Sequence, residues 1–533
     1  MIRRWLVLWV AVLLMVIVQF PIAASSGALH APSRQETPPV PIFAPEIAPP
    51  FVPPPSGTGF IPPPMDLSHL KGDRMPDGVS IQSLLPRFDW RELGIVSPVK
   101  NQGNCGSCYA FSAIAAMESK VAIDGGGITD FSENNAKECN WEEQVDWGTG
   151  SCSGGNSGMM TNLFSILGTV LESCDPYVAD DVDCGTDCPY QRTVLGWGLV
   201  SGGAGGGLGL LGASAVPDTA VLKAYLQTYG PLMVSMYAGD SLNRQWENEL
   251  KGYEGAKTLY YPGTQQPNHA VLLVGWDDSL QHAGGTGGWM VKNSWGTNWG
   301  GTCGYGSERG YFKIGYGSAS IGSNASFFYA LQNYDPSGNI MYYDDAGWNL
   351  AVGYDSTTAW GLCKFSPPKN TWVTRIEFWT TDVTTDVDVY VYDGFNGSTL
   401  SDMLFERPNL SFNQAGYHSV LLDTPLRVTQ GDDVIAVVKF TNSSYTCPIA
   451  VDRRGPAESQ RTYMSHSGTS GDWSDLGPDN CDVAIRLRTS DSANATPTPT
   501  ATRSPTPWPT AWPTQWMTHS LFLPVITRAF LAD

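Results

Sequence analysis

A short stretch around Cys108 constrains the fold of this chain more than any other part of the sequence. From Gln102 to Ser112 it reads Gln-Gly-Asn-Cys-Gly-Ser-Cys-Tyr-Ala-Phe-Ser, a glycine-containing loop that leads into apolar residues at helical spacing. We therefore expect Cys108 in the first turn of a helix, where the helix dipole favours the thiolate and raises its nucleophilicity. Gln102 lies on the same loop, and its amide is placed to donate to an oxyanion that forms beside the sulfur.

The competing interpretation of Cys108 is that it forms a disulfide, because ten other cysteines accompany it. Eleven is an odd number, so one thiol is left over in an oxidising compartment. Cys105 and Cys108 also share one tight loop, in which a disulfide between them is strained. These two observations favour a free thiol at Cys108.

The N-terminus has the layout of a secretory signal. Arg3 and Arg4 precede an apolar run from Trp5 to Phe20, and small residues follow it. We predict a signal peptide over residues 1–28, with cleavage after Ala24 or Ala28, against the alternative of an uncleaved membrane anchor. Export agrees with the many cysteines and predicts a secreted or cell-surface protein.

Length and charge narrow the remaining possibilities. A chain of 533 residues is too long for one core, so several folding units are expected. The formal net charge of −20 disfavours nucleic acid and anionic membranes as partners. The sequence contains neither a His-Glu-x-x-His stretch nor a Gly-x-Ser-x-Gly elbow, so it does not support a metallohydrolase or a serine hydrolase.

Composition divides the chain into six predicted segments. The signal peptide is followed by a proline-rich spacer or short prosegment at 29–84, in which residues 65–85 alone have room for an inhibitory role. A catalytic domain is expected at 85–332, with a flexible Gly-rich insertion at 197–214. Short alternating strands between turn residues then predict an antiparallel β-sandwich at 333–489. A Thr/Pro-rich linker at 490–516 and a C-terminal tail at 517–533 complete the chain.

A histidine and an asparagine introduce two later strands. His269 begins a run of buried-strand residues, and Asn293 ends a second run just before Ser-Trp-Gly. On its own, His269 is more consistent with a satisfied core group than with a catalytic base. His282 competes for the role of base, but it lies in flexible polar sequence.

These motifs together resemble the papain-like cysteine peptidases. The resemblance rests on Cys-Gly-Ser-Cys-Tyr at 105–109, Cys-Ser-Gly-Gly at 152–155, and His269 followed by Asn-Ser-Trp-Gly at 293–296. It implies an α+β fold with a helical lobe and a β lobe, followed here by the antiparallel β-sandwich. Segments around Tyr342, Gly416 and Gly431 are similar to the lectin-like domain that follows some microbial members.

The resemblance also implies roles for individual residues. Cys108 is the expected nucleophile, His269 its proton shuttle, Asn293 the group that orients the imidazole, and Gln102 part of the oxyanion hole. A disulfide between Cys105 and Cys152 is expected, and no metal or other cofactor is required. The expected substrate-binding residues are Gly154, Gly155, Asn156, Ser157, Ala270 and Trp295, of which Asn156, Ser157 and Ala270 belong to the second pocket.

Several alternatives stay open at this point. Cys139 has three candidate partners, Cys174, Cys184 and Cys188, while Cys363, Cys447 and Cys481 permit one further disulfide, with Cys303 also available. The sandwich either binds a carbohydrate or cell-surface ligand or acts only as a spacer. The expected activity is hydrolysis of protein or peptide substrates. A silent adhesion protein and a transpeptidase or acyltransferase with the same site are the alternative functions.

Overall fold

The computed structural model describes residues 39–46, 57–145, 148–185, 187–202 and 216–493. The predicted signal peptide, the C-terminal tail and all but the first four residues of the predicted linker lie outside the described residues. From Val40 onward the described residues belong to one compact unit.

The α-helices of the described residues all lie in the first two thirds of the chain. They are α1 (Cys108–Ile123), α2 (Glu133–Glu138), α3 (Trp141–Gln144), α4 (Ser157–Ile166), α5 (Thr219–Tyr229) and α6 (Arg244–Lys251). The strands up to the end of the first domain are β1 (Ile42–Phe43), β2 (Arg87–Asp89), β3 (Arg192–Leu199), β4 (Leu232–Met236), β5 (His269–His282), β6 (Gly285–Lys292), β7 (Tyr311–Gly315) and β8 (Ser323–Asn333). None of the described helices is both long and apolar enough to span a bilayer.

The predicted helix after the glycine loop is present as α1 and begins at Cys108. It is buried on every side along most of its length, more than the single apolar face expected from its sequence. Ala110, Ala113 and Ala116 have almost no exposed surface, and their small side chains let neighbouring elements approach the helix closely. The helix packs against β5 and β8 on one side and α2 and α4 on the other. The thiol thus sits where the helical part meets the sheet.

Antiparallel pairing of β5 with β6 brings the predicted histidine and asparagine to one end of the sheet. Leu272 of β5 pairs with Lys292, the last residue of β6. His269 is the first residue of β5, and Asn293 follows β6 directly. His282 ends β5 in an ordered hairpin, so the expectation of a flexible loop there is wrong.

The second part of the chain, as far as residue 493, consists of strands and turns with one short 3₁₀ helix (Gly477–Asp479). Its strands are β9 (Asn339–Met341), β10 (Leu350–Gly353), β11 (Thr358–Phe365), β12 (Thr371–Thr380), β13 (Thr385–Phe395), β14 (Leu400–Phe412), β15 (Gly416–Val428), β16 (Val434–Asn442), β17 (Ile449–Asp452), β18 (Thr462–Ser465), β19 (Trp473–Asp475), β20 (Asp482–Val483) and β21 (Ile485–Ser490). Strands β14, β13, β16, β11, β18 and β19 form one antiparallel sheet, in that order. A large apolar core lies between this sheet and β12, β15 and β21. The predicted fold class, a helical lobe and a β lobe followed by antiparallel sheets, is confirmed.

One sheet runs through both parts of the protein. β3 of the first part pairs with β8 on one side and with β15 of the second part on the other. Tyr417 lies opposite Trp197 in this pairing. The predicted flexible insertion at 197–214 is therefore wrong at its start, because Trp197 is a buried strand residue that packs between the two parts. Residues 203–215 lie outside the described residues.

A buried arginine joins the two parts a second time. The guanidinium of Arg486 in β21 donates to the carboxylate of Asp344, with Nε–Oδ1 and Nη2–Oδ2 distances of 2.9 and 2.7 Å. It also donates to Ser165 of α4 at 2.8 Å and to Asn162. Buried charges are stable only when they are paired and hydrogen-bonded, and these contacts satisfy that requirement.

Three disulfides hold the described part of the first domain. The structure joins Cys105 to Cys152, Cys139 to Cys184, and Cys174 to Cys188. The further disulfide allowed for the second domain does not form, since the remaining cysteines are free and buried. Two of these thiols contact backbone carbonyls: Cys363 donates to Val483 at 3.3 Å, and Cys447 faces Ile42 at 3.8 Å.

Candidate active site

The thiol of Cys108 is completely buried at the start of α1. The backbone N–H of Ala270 donates to its sulfur at 3.2 Å. Because Ala270 follows His269 in the chain, this contact ties the nucleophile helix to the first residues of β5. It brings two of the sequence-predicted residues, Cys108 and Ala270, into direct contact.

Asn293 determines which nitrogen of His269 carries a proton. Its Oδ1 lies 2.8 Å from Nε2 of His269 and also accepts the backbone N–H of Ser294 at 2.9 Å. An oxygen with one N–H donor already in place is the acceptor for the second, so Nε2 carries the hydrogen in the neutral imidazole. Nδ1 then holds the lone pair, and this buried atom has no partner among the described residues.

Trp295 covers the histidine–asparagine pair. Its ring stacks on the imidazole of His269, with ring centroids 5.1 Å apart and planes inclined by 27°. The indole N–H does not turn toward the pair but donates to the carbonyl oxygen of Gly57 at 2.7 Å. Trp295 thus covers the imidazole that bonds to Asn293 and also makes a contact with Gly57 that the sequence did not reveal.

The side chain of Gln102 is fully buried and oriented from both ends. Its oxygen accepts a hydrogen bond from the Ser294 hydroxyl at 2.5 Å. Its nitrogen donates to the carbonyl oxygens of Cys105 at 2.8 Å and Thr58 at 3.2 Å. An amide held in this way is a preorganised hydrogen-bond donor. The carbonyl oxygen of Thr58 already accepts from it.

Residues 57–61 of the predicted spacer cross the cleft and pair with it through one isolated bridge. The N–H of Gly155 donates to the carbonyl of Gly59 at 2.9 Å, and the N–H of Ile61 donates to the carbonyl of Gly155 at 3.0 Å. Phe60 and Gly155 thereby form a parallel bridge, and the Phe60 side chain packs with Cys108 and Ala270. We call residues 57–61 the cleft segment. The sequence left room for an inhibitory role only at residues 65–85. The chain instead covers the cleft before that range, at residues 57–61.

Glycines allow the cleft segment to approach this closely. Gly59 has φ of +147°, and a Cβ there would lie 1.8 Å from the carbonyl oxygen of Gly106. Gly154 faces the segment, because its Cβ would lie 2.7 Å from the oxygen of Gly59. A Cβ at Gly155 would instead meet the ring of Tyr109 at 2.9 Å. Glycine at 154 therefore leaves room for the cleft segment, whereas glycine at 155 is required by packing against Tyr109 inside the protein.

The predicted second-pocket residues lie beside the cleft segment. Asn156 caps α4, since its Oδ1 accepts the backbone N–H groups of Gly158 and Met159 at 3.0 and 3.2 Å. Its side chain therefore has a structural task in addition to lining the pocket. Asn156 and Ser157 border a small cavity that also touches the second domain.

Burial keeps both reacting groups neutral while the cleft segment is in place. Desolvation raises the pKa of the Cys108 thiol to about 12. It lowers the pKa of His269 to about 4, against the opposing effect of the hydrogen bond to Asn293. A charged thiolate–imidazolium pair requires water or a more polar environment, so the covered site holds an uncharged thiol and imidazole.

We call the chain up to Lys71, which includes the cleft segment, the N-terminal stretch. It contacts the second domain both before and after the cleft segment. Upstream, Ile42 and Phe43 of β1 pair with β10. Downstream, the His69 ring stacks on Tyr445 with centroids 3.7 Å apart, and its Nε2 lies 2.6 Å from the carbonyl oxygen of Thr381. Proline-rich composition predicted only a spacer, and the Gly-Thr-Gly sequence at 57–59 was the one local signal of a closely packed strand.

A buried network of charges behind the site was also missed by sequence reasoning. Lys292, next to Asn293, donates to the Ser97 hydroxyl at 2.9 Å, and that hydroxyl donates in turn to Glu118 of α1. Lys100 pairs with the other Glu118 oxygen at 3.0 Å. The network ties the end of β6 to the nucleophile helix. Among the described residues, no group of acidic, histidine or cysteine side chains is arranged to hold a metal ion.

The chain matches two family models. Residues 84–331 match the model described as papain family cysteine protease, and residues 340–489 match the model described as lectin like domain. Cysteine proteinase 1 of Zea mays is 32% identical over 247 residues, which cover 43% of this chain and 56% of that protein. The cathepsin L-like proteinase of Fasciola hepatica is 32% identical over 258 residues, 46% of this chain and 65% of that protein. The chain thus spans less than two thirds of the length of these relatives.

A solved structure shows the same arrangement of both domains. The cysteine protease and lectin-like domains of Cwp84, a surface layer associated protein of Clostridium difficile, superpose with a TM-score of 0.61 at 18% identity, covering 82% of this chain and 93% of that one. At this identity the likeness shows the fold. Residues 84–331 therefore belong to the papain family of cysteine proteases, and a lectin-like domain follows at residues 340–489.

Proposed function

We propose that this protein is a secreted cysteine endopeptidase whose cleft segment keeps it inactive until the N-terminal stretch is released. The observation that carries the proposal is the arrangement around His269: Nε2 is bonded to Asn293 at 2.8 Å, and the neighbouring Ala270 N–H contacts the Cys108 sulfur at 3.2 Å. The oriented amide of Gln102 supports it, because that amide already binds a peptide carbonyl, the one of Thr58.

Acylation begins when the cleft segment is replaced by a substrate. Nδ1 of His269 takes the thiol proton of Cys108, and the thiolate attacks the scissile carbonyl carbon. The carbonyl oxygen becomes an oxyanion that the Gln102 amide stabilises by donating to it. The imidazolium then returns the proton to the leaving amine, so the C–N bond breaks and a thioester remains on Cys108.

Deacylation repeats the proton transfers with water. His269 takes a proton from a water molecule, which attacks the thioester carbonyl, and the same Gln102 donor stabilises the second oxyanion. The C–S bond breaks, the carboxylic acid leaves, and the proton on His269 returns to the sulfur. Asn293 holds the imidazole in one orientation through both halves of the reaction.

The predicted signal peptide and the disulfides fit an extracellular setting. The predicted signal peptide directs export, and the three disulfides of the described residues are stable in an oxidising compartment. We assign to the lectin-like domain an accessory role in holding a substrate or a surface ligand near the cleft. Polypeptides are the proposed substrates.

A fluorogenic peptide assay on the secreted protein tests this function. Activity is expected to appear when the N-terminal stretch is removed, to vanish with iodoacetamide, and to be absent in Cys108→Ala. Mass spectrometry of the alkylated protein locates the modified thiol. Activity that survives complete alkylation of Cys108 would disprove the proposal.

The same preparation separates hydrolysis from the alternative outcomes. An added amine would be incorporated into the product if the thioester were transferred rather than hydrolysed. A correctly folded, processed protein that is alkylated at Cys108 yet cleaves no peptide in a broad library would instead support a silent adhesion protein.

A further inference from the structure

Three tryptophans meet where the catalytic domain, the lectin-like domain and the N-terminal stretch come together. Trp197 belongs to β3, whereas Trp348 and Trp379 belong to the lectin-like domain. Trp379 makes an edge contact with Trp197, with centroids 5.9 Å apart, and lies 6.4 Å from Trp348. We call these residues the tryptophan wall.

All three indole N–H groups of the tryptophan wall are buried, and none has an acceptor among the described residues. A buried N–H without an acceptor costs free energy, and native structures contain few of them. The three tryptophans that carry these donors line a single cavity. This concentration points to a ligand that brings apolar surface and hydrogen-bond acceptors together.

The cavity beside the wall is continuous with the expected second pocket. Asn156 and Ser157 line it on the side of the catalytic domain. Phe60, Pro63, Met65 and Leu67 of the N-terminal stretch close it from the outside, leaving about 20 Å³, which is the room of roughly one water molecule. The N-terminal stretch therefore fills a much larger groove, which opens when that stretch leaves.

The covering residues show what kind of chain fits. Ile61-Pro62-Pro63-Pro64-Met65 runs from Gly155 past the wall, and Pro62, Pro63 and Met65 are buried there. A polyproline-type chain has no internal hydrogen bonds, so its carbonyl groups are free to accept from indole N–H groups. Aromatic-lined grooves bind such chains through ring packing and these carbonyls. Residues 61–65 supply apolar surface to the tryptophan rings but no acceptor to the three indole N–H groups.

We propose that the lectin-like domain completes the substrate cleft through Trp348 and Trp379, and that this wall selects proline- and aliphatic-rich residues upstream of the second pocket. The proposal rests on the proposed peptidase function and names the class of its substrates. Trp348 and Trp379 act as specificity-determining residues for the substrate positions that lie upstream of the second pocket. The substrate places apolar side chains against the rings and carbonyl oxygens at the indole nitrogens.

Three fluorogenic substrates with one shared dipeptide at the scissile bond provide the test. The first ends at the second pocket, the second continues upstream with four Pro and Leu residues, and the third continues with four Gly and Ser residues. The processed enzyme is expected to show a kcat/KM about tenfold higher for the Pro/Leu substrate than for the short one, as burial of one large side chain predicts. The Gly/Ser extension is expected to give no such gain.

Variants assign the gain to the wall. In Trp348→Ala and Trp379→Phe the ratio of kcat/KM between the Pro/Leu and short substrates is expected to fall toward one. The matched variant Trp473→Ala changes a half-buried tryptophan of β19 elsewhere in the same domain and should keep the wild-type ratio. A ratio that is the same in all variants, or a wild-type enzyme without any gain, would overturn the proposal.

A binding measurement keeps the proposal testable if no substrate is cleaved. Cys108→Ala protein is nicked with trypsin at the exposed Lys71, freed of the N-terminal fragment, and titrated with the Pro/Leu peptide while tryptophan fluorescence is recorded. Saturable binding that Trp348→Ala weakens about tenfold supports the wall as a peptide site. Absence of binding overturns it, whereas absence of hydrolysis with binding intact rejects only the peptidase function.

Discussion

The side-chain nitrogen of Gln102 donates to the carbonyl oxygen of Thr58 at 3.2 Å. Thr58 belongs to the cleft segment, so the donor proposed to stabilise the oxyanion is occupied by the chain's own backbone. One hydrogen bond thereby links the proposed catalytic machinery to the device that closes it.

Replacing Gln102 tests the oxyanion donor. In Gln102→Ala, kcat of the processed enzyme is expected to fall by about 10²–10³ with little change in KM, because the lost interaction forms only in the transition state. Ser294→Ala removes only the hydroxyl that orients the amide, so a smaller loss is expected. Steady-state kinetics on both variants give the comparison, and equal losses would argue against a direct role for the amide.

Gly59→Ala is expected to dislodge the cleft segment. A methyl group there would lie 1.8 Å from the backbone oxygen of Gly106, and moving either backbone would break its hydrogen bond to Gly155 or to Cys152. The unprocessed variant should therefore cleave peptides before its N-terminal stretch is removed. Ser68→Ala, at an exposed position of the same stretch, serves as the control and should stay inactive. An inactive but folded Gly59→Ala protein would show that the segment is not what closes the cleft.

The reactivity of Cys108 is expected to report removal of the segment. Its sulfur is fully buried and its pKa is raised to about 12, so iodoacetamide should modify it slowly in the full chain. After processing the rate should rise by at least about 10², since water reaches the pair and the thiolate forms. Peptide mass spectrometry follows the reaction, with buried Cys363 as the internal reference for global unfolding. Equal rates before and after processing would contradict the covered geometry.

Acid is expected to loosen the N-terminal stretch. Burial lowers the pKa of His269 from 6.5 to about 4, so the covered state excludes a proton that the open state accepts. The stability of the covered state is therefore complete above pH 6.5 and is lost as the pH falls from 6.5 toward 4. Burial also lowers the pKa of His69, which acts in the same direction.

Fragment release measures this pH dependence. Cys108→Ala protein nicked at Lys71 is passed over a sizing column at pH 7 and pH 5, and more of the N-terminal fragment should separate at pH 5. His269→Gln and His69→Gln, each added to that protein, assign the effect to one imidazole or the other. Fragment release that increases with pH would contradict the expected effect of protonating either His269 or His69.

Arg486 is expected to be critical for joining the domains. Arg486→Ala leaves the Asp344 carboxylate buried without its partner, which costs about 3–5 kcal/mol of unfolding free energy. Adding Asp344→Ala to this variant should recover part of the loss. Thermal unfolding of the three proteins gives the comparison, and a double variant less stable than the single one would show that the carboxylate has other partners.

Local motifs predicted the first domain well because the residues around Cys108, His269 and Asn293 are of types and spacings that suit few other structures. The helix at Cys108 and the hydrogen bond between His269 and Asn293 are both present. The fold class and the lectin-like domain were predicted from the resemblance of sequence motifs to known families, and the antiparallel sandwich from alternating strands. Motif residues and strand alternation are both short-range features of the sequence.

Contacts between distant segments were not predictable in the same way. Proline-rich composition indicates an extended chain but not the surface on which that chain lies, so the cleft segment was missed. Trp197 lies in a strand just before a Gly-rich run. Composition therefore assigned it to the flexible insertion rather than to the strand. The pairing of β3 with β15 joins residues more than two hundred positions apart, and no local pattern reports such a partner.

The continuous sheet has a mechanical consequence for any ligand held by the lectin-like domain. Backbone hydrogen bonds between Trp197 and Tyr417 leave no hinge at this junction. A surface tethered to the second domain would thus hold the proteolytic groove at a constant orientation and distance. Reach toward a scissile bond would come from the substrate, not from rotation of one domain relative to the other.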